Sequence, residues 1–286
     1  MRTIKNIGTI CLLTFLVACD NQTINNSQTT DTENIDKIKD ENFKTELQEL
    51  GLNGNVKVLR QDEFYKGNSE SEIGLNTGSN SFSYKFNETG SKIEVQHYDS
   101  MGMIKDQSEY IYSSGGQKSG KKITDLNNKL LHSYQYEYDE FGRVIKINIT
   151  DYEGTDKYDY YSTSKYDENG NEILSITYTP EGKKVQSAEC KFENNKKIKL
   201  ILYDNMDSPY AICEYKYNEK GDVNKEIIYT GNNLLFEEYS MEYTYDSHNN
   251  WIMKVYTLDK KHMNTSGNAS RNSGVQTITM RTITYQ

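Results

Sequence analysis

The chain has 286 residues, 35% hydrophobic and 12% aromatic, with 24 Tyr and 8 Phe, and a formal net charge of −9. So much aromatic area excludes a wholly disordered chain. The acidic balance, with no basic cluster, excludes nucleic acid as a partner, because its phosphates would be repelled.

The first element is a leader. Arg2 and Lys5 precede an apolar stretch, Ile7 to Ala18, of signal-peptide rather than membrane-spanning length. It ends Leu16-Val17-Ala18-Cys19, which resembles a bacterial lipobox. That resemblance implies cleavage before Cys19 and acylation of its sulfur and new amine, giving a stable membrane anchor. The plainer alternative is an ordinary secretory leader with a coincidental cysteine. Residues 1–18 are thus expected to be a lipoprotein signal peptide and 19–34 a tether, since 20–34 carry one apolar side chain in fifteen. Ile35, Ile38, Phe43, Leu47 and Leu50 then fall on one helical face, predicting a short amphipathic helix over 35–50, ended by Gly51 and Gly54. The rest, 51–286, reads as a single β domain.

That domain repeats itself. Segments such as YKFNETG from Tyr84, YIYSSGG from Tyr110, YEYDEFG from Tyr136, SKYDENG from Ser164, CKFENN from Cys190, YKYNEKG from Tyr215 and YTYDSHN from Tyr243 recur at intervals of 25 to 28 residues. Positions one and three are mostly Tyr or Phe and share one face of an extended strand, while position two is variously Lys, Glu, Thr or Ile. The Asp or Asn at position four suits a turn mouth. Gly90, Gly116, Gly142, Gly170 and Gly221 stand where a tight hairpin demands positive φ, with Asn195 and Asn249 as the next-best residues there. A return strand follows, as in Ile145, Ile147 and Ile149, then a second turn, from Asp99–Gly102 in the first unit to Asp259–Lys261 in the last.

Connections this short join antiparallel neighbours only. Seven hairpins, with strands near Val56–Phe64 and Gln276–Tyr285 outside them, predict an all-β fold: a long antiparallel meander of about sixteen strands. An open sheet of that size must twist or curl, so a strongly bowed sheet is expected, with a closed barrel and a two-sheet sandwich as rivals. A barrel inserted in lipid is disfavoured, since the outward positions carry Lys, Glu and Asp.

The pattern Y-x-Y-D-x-x-G-R at Tyr136 to Arg143, with Y-D-x-x-G at Tyr166 to Gly170, resembles the YD repeat of Rhs-type proteins. The low-Pro, Asn/Lys/Tyr-rich composition is similar to that of Bacteroidetes lipoproteins bearing such repeats. The resemblance implies a β-sheet shell and a place in the cell envelope, at the outer membrane on its periplasmic side or at the cell surface. Seven units are too few to enclose a toxin cargo.

Chemistry is harder to find. His97, His132, His248 and His262 show no metal spacing, His97 reading as a half-buried sheet residue, and the turn from Asp151 to Asp156 lacks EF-hand spacing. No nucleophile elbow, P-loop or dinucleotide loop appears, so no catalytic residue, metal or cofactor is expected. Cys190 and Cys213 lie on strands two apart, about 9.6 Å, too far for a disulfide. Binding is left. Tyr136, Tyr138, Tyr166, Tyr245 and Trp251 are the candidate aromatics, suited to stacking on a sugar ring or anchoring a protein, and core packing is the structural reading of the same rings. The expected function is a non-enzymatic binding or structural role of a lipoprotein, with a protein partner first, carbohydrate second, and a hydrolase with an unrecognised carboxylate pair third.

Overall fold

A computed structural model of the chain describes residues 46–66, 81–153, 158–261 and 276–286. The leader, the tether and the segment from Asn264 to Gly274, expected as an exposed loop, lie outside the described residues. Of the helix expected over 35–50, the described part is one helical turn, α1 (Glu46–Glu49).

Sixteen strands follow: β1 (Val56–Lys66), β2 (Ser81–Phe86), β3 (Lys92–Tyr98), β4 (Ile104–Tyr112), β5 (Lys118–Asp125), β6 (Leu130–Tyr138), β7 (Val144–Asp151) and β8 (Tyr158–Tyr166), then β9 (Glu172–Tyr178), β10 (Lys184–Glu193), β11 (Lys196–Tyr203), β12 (Pro209–Tyr217), β13 (Val223–Thr230), β14 (Leu235–Tyr245), β15 (Trp251–Lys261) and β16 (Gln276–Tyr285). Each pairs antiparallel with its neighbour in sequence, and β1 pairs with β16, from Val56 opposite Tyr285 to Lys66 opposite Gln276. The sheet is therefore closed. This corrects the open, bowed meander, and with it the YD/Rhs reading of an open repeat shell. The turn expected at Asp259–Lys261 is also absent, because β15 runs straight through it.

The physical reason for closure lies in the hairpins. In all seven, the register slips by one residue at the last aromatic: at Phe86, Tyr112, Tyr138, Tyr166, Phe192, Tyr217 and Tyr245. Each slip is a β-bulge on the return strand, and a bulge bends its strand and adds right-handed twist. Glu137 faces Lys146 while Tyr138 faces Val144, so Ile145 is the extra residue and is pushed outward, where it is 38% exposed. Repeated bends of one hand roll a sheet until its edges meet, and closure removes the exposed edges an open sheet would carry.

The turns behave as their residues require. Asp139 closes its loop through Asp139 N–H to the Arg143 carbonyl (3.0 Å), and its Oδ1 accepts from the N–H groups of Phe141 (3.0 Å) and Arg143 (2.9 Å). Asp99, Asp125, Asp167, Asp204 and Asp246 cap their turns in the same way. Gly142 has φ +75° and Asn249 +61°, while Asn194 and Asn195 (+50° and +58°) form a two-residue loop of the mirror-image type favoured in hairpins.

The chain ends supply an eighth hairpin without its turn. Gln286 N–H donates to the Asn55 carbonyl (2.8 Å), where a turn would otherwise close β16 onto β1. Leu47 and Leu52 pack there on Val56, Leu59 and Phe86, the largest apolar cluster among the described residues. Asn250, fully buried, sews the turn after β14 to this seam. Its Oδ1 accepts from Asn53 N–H (2.6 Å), and its Nδ2 donates to the Asn53 carbonyl (3.0 Å) and the Tyr285 hydroxyl (2.7 Å).

Candidate functional site

Strand alternation divides the side chains between an outer wall and an interior. The outer wall is charged, with cross-strand pairs Lys85–Glu94 (2.6 Å), Lys146–Glu137 (2.9 Å), Lys199–Glu214 (3.0 Å) and Lys225–Glu238 (2.5 Å), and Arg60–Asp62 (2.6 Å) along one strand. A Lys or Arg facing the middle of a bilayer costs about 2–4 kcal/mol, and this wall carries them around the barrel. Water, not lipid, suits it.

The interior is lined by the repeat tyrosines, and the structure gives them a structural task. The hydroxyls of Tyr112, Tyr138, Tyr166, Tyr217 and Tyr243 donate to the carbonyls of Lys92 (2.5 Å), Lys118 (2.5 Å), Val144 (2.7 Å), Lys197 (2.6 Å) and Val223 (2.7 Å). Each acceptor sits beside the bulge of the preceding hairpin, where the ladder loses its register and a carbonyl needs another donor. A hydroxyl at this place therefore latches one hairpin to the last. Burial holds the phenols of Tyr136, Tyr166 and Tyr243 well above the usual range and pushes Tyr217 up to about 12.

All five candidate aromatics face inward and are half-buried. Tyr138 and Tyr166 are latches. Tyr136 lies with its ring centroid 5.6 Å from Lys118 Nζ. Tyr245 donates to Asp222 Oδ2 (2.6 Å) and accepts from Asn218 Nδ2 (3.0 Å), beneath Lys220 Nζ at 3.9 Å. Trp251 carries the Arg281 guanidinium 3.4 Å over its ring and meets Tyr243 edge-on at 6.0 Å. The structure thus separates them: Tyr136, Tyr138 and Tyr166 line the wall from β6 to β8, Tyr245 and Trp251 the wall at β14 and β15.

Of the polar groups inside the barrel, sequence reasoning named His97, as a half-buried sheet residue, and His132, but not their acidic neighbours or the lysines beside them. His97 Nδ1 lies 3.0 Å from Asp106 Oδ2, and His132 lies 3.5 Å from Asp151 and 3.3 Å from Glu153. Glu46, on α1, is ion-paired with Lys118, accepts from the Lys92 N–H and lies 2.8 Å from the Tyr112 hydroxyl, whose single proton it shares with the Lys92 carbonyl. Burial alone would raise its carboxyl, but Lys118 and Lys92 hold it below the usual range. Lys121, 8% exposed, stacks on Tyr134 at 3.9 Å. The available signal was a charged residue in phase with the inward positions of a period-two strand. His132, Asp151 and Glu153 lie together, but among the described residues no group of three such side chains is placed to hold a metal ion. The carboxylates here are tied to His, Lys and Tyr partners, an arrangement that fixes walls rather than activates water. Cys190 and Cys213 flank Leu200 in a single cross-strand row and are buried, with no disulfide between them.

The two rims differ. The glycine rim, which bears the YxYDxxG-type turns, shows Glu88, Glu140, Glu168 and Glu219 at its tips, with Phe141 the one large exposed apolar side chain on its described turns and the bulge residues Ile93, Ile145 and Ile173 turned outward beside them. The opposite rim shows Met101 (78% exposed), Met206 (77%), Leu126 (63%), Leu234 (58%) and Met103 (55%), flanked by Tyr158, Tyr210 and Phe236. Tyr210 and Phe236 are extra residues of bulges, turned outward.

The chain matches no protein-family model, and no curated protein matches it. Among solved structures it is similar to a porin-like protein from Bacteroides uniformis ATCC 8492, with a TM-score of 0.53 and 10% identity over 80% of this chain and 98% of that one. It is also aligned with a porin-like protein from Bacteroides vulgatus ATCC 8482, at a TM-score of 0.44 and 10% identity over 81% and 99%. At such identity the first likeness is one of fold, and the second adds nothing to it. The closed sixteen-stranded barrel of porin-like type is what replaces the YD/Rhs shell.

Proposed function

We propose that this chain is a non-enzymatic binding protein of the bacterial outer membrane, held there by acyl chains on Cys19, with its barrel standing in water and one rim offered to a protein partner. The observation that carries the reading is the one-sided array of apolar tips. Single exposed apolar residues are ordinary, but five Met and Leu side chains on four turns at one end, against Phe141 on the described turns of the other, mark a contact surface. Methionine adapts to varied partner shapes. The charged outer wall supports anchoring over insertion. The porin-like fold supports a place in the envelope.

The test replaces residues 1–19 with an ordinary cleavable secretory leader. An anchored barrel is then released as soluble protein, whereas a barrel inserted through its wall stays in the membrane. Photo-crosslinking groups at Met101 and Met206 should give a discrete adduct in intact cells, and the same group at Glu140 should not. Equal labelling from both rims refutes the rim assignment. A second reading, carbohydrate in the interior, is favoured by the half-buried rings of Trp251 and Tyr136 on the inner wall.

A further inference from the structure

Three lysines converge on the inner wall between β3 and β6. Lys118 is ion-paired with Glu46, and the same carboxylate also neutralises Lys92. Lys121 is 8% exposed, and among the described residues no acceptor takes a hydrogen bond from its ammonium, whose one partner is the face of Tyr134. Asp106 faces it, but that carboxylate is already joined to His97. The side chain is buried, but its Nζ is not sealed from solvent, so its three donors stand over the ring and open to the interior. The groups facing it are two like charges, Lys92 and Lys118, and one committed carboxylate.

We propose that the interior beside Lys121 binds an anionic monosaccharide, a sugar acid or a sugar phosphate, whose charged group completes the shell of Lys121 and whose ring lies among Tyr110, Tyr134 and Tyr136. A carboxylate or phosphate supplies the missing acceptor at close range, where hydrogen bonds to charge are strongest. The aromatic walls suit the apolar face of a sugar, as in polar-lined pockets generally. Solvent reaches this region, since the side chains of His97, Asp106 and Lys118 are 17%, 20% and 22% exposed. Burial, with Lys118 and Lys92, brings the Lys121 ammonium down to about 8, a tension that a bound anion relieves. The inference rests on the carbohydrate reading of the interior and is independent of the rim.

The lipidated chain in detergent is titrated calorimetrically with glucuronate, glucose 6-phosphate, glucose and sulfate. At least one sugar anion should bind tenfold or more tightly than glucose and sulfate, and the tighter of the two identifies the source. Lys121→Met should remove that preference, and Lys146→Met, on the outer wall, should leave it intact. Should Lys121→Met not fold, protection of Lys121 from acetylation by the sugar anion in the wild-type protein takes its place. Glucose binding as strongly as the anions, unaffected by Lys121→Met, keeps the carbohydrate reading and sinks the anion site. Sulfate binding as well as either sugar anion overturns the sugar, and failure of all four probes to bind overturns both.

Discussion

Asn250→Ala removes the stitch between the last turn and the seam. Three hydrogen bonds disappear, and the Asn53 N–H, the Asn53 carbonyl and the Tyr285 hydroxyl lose a partner; Asn250 is fully buried, but Asn53 is exposed, so water can reach the groups left behind. At about 1 kcal/mol for each bond, the cost is about 2–4 kcal/mol. A barrel of this size with a urea m-value of about 2–3 kcal/mol/M should lose about 1–2 M in its midpoint. Urea unfolding followed by Trp251 fluorescence reports the seam directly, because Trp251 is the next residue and lies under Arg281. Far-UV circular dichroism reports the whole sheet. Both transitions should move together, while Asn169→Ala, at an exposed tip, should move neither. A shift below about 0.3 M would show that closure does not depend on this residue.

Removing one latch hydroxyl, in Tyr138→Phe or Tyr217→Phe, should cost about 1–2 kcal/mol in the same assay. Tyr158→Phe, at an exposed ring, should cost under about 0.5 kcal/mol. The Cys213 thiol, pushed up to about 11 by burial and by Glu226, should react with a thiol reagent at pH 8 about a hundredfold more slowly in the folded protein than in urea; rapid native labelling would refute the buried row. Glu46 is held below its ordinary 4.5, so it stabilises the fold above that value and loses this contribution as pH falls through its lower folded value. Stability measured from about pH 6 to pH 3 should therefore fall more steeply in wild type than in Glu46→Gln.

Much of this was legible in the residues. The strands near Val56 and Gln276, the glycines and asparagines at positive φ, the Asp caps and the separation of Cys190 from Cys213 all follow from local pattern. Closure was not. Inward aromatics alternating with outward charges look the same in a curled sheet and a barrel, and the pairing that decides between them joins Val56 to Tyr285, far apart in the chain. The bulges were hidden as well. Ile145, Ile147 and Ile149 read as three residues on one face, yet the extra residue turns Ile145 to the outside. The tyrosines were legible as a face and not as latches, because a hydroxyl's acceptor 20 to 22 residues back is set by the bulge and not by composition. The lysines at 118 and 121 were not singled out.

The seam between β16 and β1 pairs as the seven hairpins do, and differs from them in having no turn and in being covered by Leu47, Leu52 and Asn53. Joining Gln286 to Asn55 through a loop such as Asp-Glu-Phe-Gly, and opening the backbone instead within Asp139–Gly142, leaves every strand with the neighbours it has now. The order in which the hairpins are written is then a matter of descent, and permuted versions of this ring are open to construction at any of its turns.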